Sequence, residues 1–122
     1  MKEEIEKKLD AFLVDEPTFK AKSATLSLKE HLRGTILLKL LDSDKHFFYD
    51  WRDENFIVSV IPQGEVTYCE PDSIISLTRK NLIEILDGEI SPQLLMLTPN
   101  ITITGKIEMA VYFFNLLYKD NG

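Results

Sequence analysis

LTRKNLIEILDGEISPQLLMLTPNITITGKIEMAVYFFNLLYK, residues 77–119, ends in a helix-forming run that is apolar on two opposite sides. From Lys106 to Tyr118 it contains neither glycine nor proline. At about 100° per residue, Ile107, Ala110, Val111, Phe114, Leu117 and Tyr118 fall on one side. Met109, Tyr112, Phe113 and Leu116 fall on the other, and only Glu108, Asn115 and Lys119 make a polar stripe. One apolar face satisfies the core of a small domain, so a second face needs further cover. A bound apolar ligand, a partner chain, a membrane, or a sandwich between sheet and other helices supplies it. The run is about 13 residues and near 20 Å long, too short to span a bilayer.

Upstream, the same stretch punctuates itself. Thr78 is placed to cap a helix over RKNLIEILDG, which stops at Asp87-Gly88. Ser91-Pro92 restarts a short helix, serine at the cap and proline at the first position. Leu94, Leu95, Met96 and Leu97 make that turn apolar nearly all round. Pro99-Asn100 ends it, and Ile101–Thr104 forms a strand into Gly105. Before this region, Asp72–Leu77 reads as a strand with Ile75 and Leu77 on one face and Ile74 on the other.

Further out, Gly34 opens TILLKLL, a turn at Asp42–Lys45 leads to HFFYDWR, and Asp53–Asn55 leads to FIVSVI. In the second of these, Phe47, Tyr49 and Trp51 alternate with His46, Phe48, Asp50 and Arg52. The three segments read as an antiparallel meander. Residues 2–14 set Ile5, Leu9, Phe12 and Leu13 at helical spacing, closing on Asp15-Glu16-Pro17; a short helix around Ser27–Leu32 follows an irregular stretch. The expected fold class is α+β: one domain over residues 1–122, a five-stranded, mostly antiparallel sheet covered on one side by helices.

Composition bounds the function. The 122 residues are 44% hydrophobic and 28% charged, ordinary for a globular chain with one core. A net charge of −6 argues against a nucleic-acid partner, whose phosphates require a basic surface. Residues 1–39 hold eight basic and seven acidic side chains, the remainder six basic and thirteen acidic. Transient contact with an anionic membrane would therefore favour the N-terminal segment. The one cysteine, Cys69, rules out an internal disulfide, and residues 1–14 are charged rather than signal-like. A cytoplasmic location is expected.

Signals for chemistry are weak. His31 and His46 have no metal-ligand neighbour at useful spacing and read as surface or strand-edge residues. Cys69 lacks a histidine or CxxC partner, and Asp50, Asp53 and Glu54 read as a solvated strand end and turn. No glycine-rich loop or Ser-His-Asp set is present. No catalysis, cofactor or metal is expected.

The order of elements and the sequence over residues 72–114 resemble the sterol carrier protein type 2 family. In that family a strand leads to a capped helix ending in a Thr-Gly-like pair, then a short helix from Asn-Pro. Asp72–Leu77, Thr78–Leu86, Asp87-Gly88 and Ser91-Pro92 match these parts in turn. Ile101-x-Ile103-x-Gly105 matches the last strand, and Ala110 the alanine of the final helix. Pro99-Asn100 and Lys106 depart from the pattern, and Tyr112, Phe113 and Phe114 are bulkier than is common there. The resemblance implies a non-catalytic carrier with an apolar tunnel between sheet and helices. By the same resemblance, such a tunnel is expected to take fatty acids, acyl-CoAs, phospholipids, sterols or isoprenoids. The residues expected to line it are Leu94, Leu95 and Leu97, Ile101 and Ile103, and Met109, Tyr112, Phe113 and Leu116, with Ile83 and Leu86 beside them. A rival expectation is an accessory module of a lipid-pathway complex, with the second helix face in a partner or dimer interface. The chain is then a monomer or weak homodimer.

Overall fold

The computed structural model describes residues 9, 11, 13–15, 33–52, 56–68 and 70–117, without the side chains of 66–68, 92 and 115–117. Five strands form one sheet: β1 (Thr35–Leu40), β2 (Lys45–Asp50), β3 (Ile57–Pro62), β4 (Ser73–Leu77) and β5 (Thr102–Gly105). Their order is β3-β2-β1-β4-β5. All neighbours are antiparallel except β1 and β4, which run parallel in the centre. The meander expected over β1–β3 and the mostly antiparallel sheet are both present.

Alternation explains which way the sheet faces. Ile36 and Leu38 of β1 lie opposite Tyr49 and Phe47 of β2, and all four belong to the main core. Ile75 and Leu77 of β4 join them, with Ile103 of β5 opposite Ile75. Central β1 is buried on both faces, whereas edge strand β3 leaves Ile57 and Val60 about half exposed and ends in Pro62. Proline suits an edge because it cannot donate to a ladder. A 3-10 helix at Gln63–Tyr68 follows.

Three helices follow in the second half: α1 (Arg79–Leu86), α2 (Pro92–Leu95) and α3 (Ile107–Leu117). Thr78 caps α1, its hydroxyl accepting the Asn81 N–H at 3.3 Å. The helix ends in a Schellman arrangement, with Gly88 N–H donating to the Ile85 carbonyl and Glu89 N–H to the Glu84 carbonyl. Asp42, in the β1–β2 turn, accepts the Arg79 N–H at 3.0 Å and so holds the start of α1 at that end of the sheet. Ser91 stands at the start of α2, but its hydroxyl donates to the Gln93 side chain rather than capping the backbone. The N-terminal amphipathic helix is represented by residues 9, 11 and 13, which are helical; Leu9 and Leu13 are buried. Ile5, Phe12 and the short helix at Ser27–Leu32 lie outside the described residues.

One side chain reverses its expectation. His46 is not at the surface but 1% exposed, on the sheet face opposite the main core. Its Nδ1 accepts the Leu40 N–H at 3.0 Å, which places the imidazole proton on Nε2, a buried atom with no hydrogen-bond partner. Burial, aided by the charge of Lys39 and opposed by Asp44, lowers its pKa from the ordinary 6.5. Protonation would set an Nδ1–H against the Leu40 N–H. The folded state therefore binds this proton less readily than the unfolded state. Stability from this site is complete above about pH 6.5 and falls as the pH drops below that, levelling off once the lowered folded pKa is passed. Urea unfolding at pH 7.5, 6.5, 5.5 and 5.0 should show this loss in the native chain and a flatter profile in His46→Leu. Equal slopes in the two would refute it.

Candidate functional site

The contact between sheet and helices is built from the aromatic side chains on and just after β2 and the inner arc of α3. Met109, Ala110, Tyr112, Phe113 and Phe114 are all buried. On the helix they span one continuous arc of about 200°. Ile107, at the edge of that arc in the first turn, is 57% exposed. The expected pair of opposite apolar faces is thus corrected to one broad face. A helix with a face this wide sinks into its surroundings rather than lying on them.

Two anchors set the position of α3. Lys106 N–H donates to the Asp72 carbonyl at 3.1 Å, joining the helix start to the start of β4. The Ser73 hydroxyl, 1% exposed as a residue, has the Thr104 and Lys106 carbonyls at 3.1 and 3.0 Å as alternative acceptors. Asp72 in turn accepts the Thr35 N–H at 3.0 Å, and its own N–H donates to Thr35 Oγ1 at 3.0 Å. One short cluster therefore fixes the beginnings of β1, β4 and α3.

From this start, α3 carries Phe113 onto β2. Its ring lies 4.6 Å from Tyr49 and 6.3 Å from Trp51, nearly parallel to the indole at 10°. Tyr112 meets Trp51 at 5.8 Å, and Phe56 stacks on the same indole at 5.5 Å and 6°. Tyr49 is fully buried, its hydroxyl donating to the Leu13 carbonyl at 2.8 Å. Burial pushes that hydroxyl well above its ordinary pKa of 10.0, so it stays a donor.

The other expected lining residues are unevenly placed. Leu95 and Ile101 are buried in the main core, and Ile83, Leu86 and Ile103 are half-buried against it, as are Ile90 and Met96. Leu94 and Leu97 are corrected: at 63% and 84% exposed they face outward. A helix of four residues is barely one turn, so Leu94 and Leu95, adjacent at its end, cannot share a face, and Leu97 lies beyond it. The side chain of Leu116 lies outside the described residues. Sequence reasoning missed Tyr49, Trp51 and Phe56, which come from β2 and the connection after it. The Phe47/Tyr49/Trp51 alternation carried that signal.

Polar groups near the site are engaged structurally. Asp50, held by Arg52 in a hydrogen-bonded ion pair at 2.7 Å, has its carboxyl pKa lowered chiefly by that side-chain bond. His31, Cys69, Asp53 and Glu54 lie outside the described residues. A groove of ≈ 470 Å³ on the opposite sheet face includes Phe48 together with Thr35, Arg52 and Asp72, whose side chains already hydrogen-bond to neighbours. Among the described residues, no three His, Cys, Asp or Glu side chains gather as for a metal, and no helix is long and apolar enough to cross a membrane.

A family model described as the SCP-2 sterol transfer family matches residues 17–118. No curated protein matches the chain by sequence. Several solved structures share the fold. A ubiquinone synthesis protein, UbiJ-SCP2, is 15% identical with a TM-score of 0.58, over 93% of this chain and 84% of that one. Palmitated SCP2L2 from Aedes aegypti is 12% identical with a TM-score of 0.59, over 85% and 91%. The inverting sec-alkylsulfatase Pisa1 from Pseudomonas sp. is 15% identical with a TM-score of 0.59 over 75% of this chain, which spans only 14% of the alkylsulfatase.

Proposed function

This chain belongs to the SCP-2 sterol transfer family, and we propose that it binds an apolar lipid reversibly between the sheet and helices α1–α3 and carries it without catalysis. The observation that supports this best is the wide buried arc of α3 set on the aromatic row of β2, with half-buried Ile83, Leu86, Ile90, Met96 and Ile103 around it. Aliphatic and methionine side chains that are neither fully packed nor fully wet suit an adaptable lining. The proposed lining is Ile83, Leu86, Leu95, Ile101, Ile103, Met109, Tyr112 and Phe113, extended by Trp51. Leu94 and Leu97 belong to the outer surface instead.

The energetics fit a carrier. Burying a methylene contributes about 0.8 kcal/mol, so a sixteen-carbon chain gains on the order of 10 kcal/mol before costs. Ordering the ligand and opening the space offset much of that, which leaves binding reversible. Extraction of the purified protein should yield a stoichiometric lipid, and palmitate should displace a fluorescent fatty acid. Neither lipid nor displacement would end this reading.

A second reading has its own support. The likeness to UbiJ-SCP2, together with exposed Leu94, Leu97 and Ile107, favours an accessory module of a lipid-pathway complex. Sedimentation over a hundredfold concentration range separates the two. A lipid-loaded monomer or weak dimer fits the carrier, whereas a lipid-free dimer lost on Leu97→Asp fits the accessory module.

A further inference from the structure

We infer that the Trp51–Phe113 stack is the blind end of the lipid site and selects a slender, unbranched acyl chain over a fused-ring ligand; this rests on the lipid-binding reading above.

The two ends of the interior differ in kind. Trp51 N–H bonds to the Gly34 carbonyl, so its indole sits where β1 begins. Five rings close that end: Tyr49, Trp51, Phe56, Tyr112 and Phe113, none more than 7% exposed. They are pinned as well as packed. Phe56 and Phe113 both lie nearly parallel to the indole, at 6° and 10°. Tyr49 holds Phe113 at 4.6 Å and is itself tied by its hydroxyl to Leu13.

The opposite end is made differently. Arg79 bonds to Asp42 at the β1–β2 turn, so α1 begins where β1 finishes. The side chains offered by α1 and the segment after it are all non-aromatic: Leu82, Ile85 and Leu95 are buried, and Ile83, Leu86, Ile90 and Met96 are half-buried against them. Such chains change rotamer at little cost, and methionine does so most readily. Rings stacked on the indole from Phe56 and Phe113, with Tyr112 tilted against it, cannot, because a dense core relaxes only partially. A flexible acyl chain can thread between the aliphatic side chains and stop against the rings. A rigid polycycle of the same carbon count would have to displace the rings themselves. The end of the chain, rather than its head group, then meets Trp51.

Trp51 is the sole tryptophan, so its emission reports this contact without ambiguity. Hexadecanoic acid brominated at carbon 16 should quench it at least threefold more than the 2-bromo isomer, each at saturation judged by displacement of a fluorescent fatty acid. In the same displacement assay, cholesterol should compete at least tenfold more weakly than palmitate. Tyr112→Leu should narrow that gap, and Phe113→Ala should narrow it further if it folds. Equal or reversed quenching, or cholesterol within threefold of palmitate in the native protein, overturns the inference while leaving lipid binding intact. Failure of every lipid to displace the probe overturns the lipid-binding reading and the inference with it.

Discussion

Phe113→Asp is expected to melt without cooperativity and to take up no fatty acid. Phe113 has no exposed surface and touches both Tyr49 and Trp51. Removing a buried phenylalanine costs about 3–5 kcal/mol through lost transfer energy and the cavity left behind. An aspartate adds the desolvation of a buried carboxylate, several kcal/mol more. The sum rivals the roughly 5–15 kcal/mol by which a domain of this kind is stable. Met109→Asp should behave alike, because Met109 is 1% exposed and would set a second carboxylate toward Asp72, which already lies beside Gly34. Thermal melting by circular dichroism, with fluorescent fatty-acid titration of any folded fraction, measures both effects. A cooperative melt with native uptake in either variant would mean that α3 does not line the site. Phe113→Leu keeps an apolar group in place, so it should fold and isolate the ligand effect from the stability effect.

How much of this was legible in the chain depended on which rule each residue obeyed. Local rules read well. Thr78 caps, Gly88 stops, and the 2-residue alternation of β2 and β4 points Phe47, Tyr49, Ile75 and Leu77 inward. Rules that depend on what lies across space read poorly. His46 alternates away from the core and so looked exposed, yet that second face is also covered over β1 and β2, where Leu37 is 1% exposed. Nothing local in the sequence announces that cover. Helical periodicity split α3 into two faces because it assigns each residue an angle but not the depth to which the helix sinks. For the site, the reading named the helices and β5 and omitted the residues on and beside β2. Trp51 and Tyr49 come from a segment more than fifty residues before α3, joined to it only by the sheet order. Leu94 and Leu97 misled for a simpler reason: four apolar residues in succession cannot all face inward.

Gly105→Ala should carry the largest cost of any single-methyl addition among the described glycines whose backbone φ is positive. Gly105 has φ +88, a left-handed conformation that a Cβ disfavours by about 1–2 kcal/mol. Gly88, at φ +76, has that penalty too, but its added Cβ would meet open space. At Gly105 the Cβ would collide with the Asp72 carbonyl oxygen and stand 3.1 Å from the Ser73 Cα, both backbone atoms. That carbonyl cannot retreat alone. It accepts the Lys106 N–H, while the Asp72 side chain accepts the Thr35 N–H, so any shift passes to the beginnings of α3, β4 and β1 together. The expected loss is about 3–5 kcal/mol for Gly105→Ala against about 1–2 for Gly88→Ala, read from urea unfolding midpoints at constant slope. Because the start of α3 sets where Phe113 reaches the indole, Gly105→Ala should also shift Trp51 emission in the fraction that stays folded, and Gly88→Ala should not. Equal costs at the two glycines, with unchanged emission in both, would show that the Asp72 cluster yields freely and does not fix the helix that lines the site.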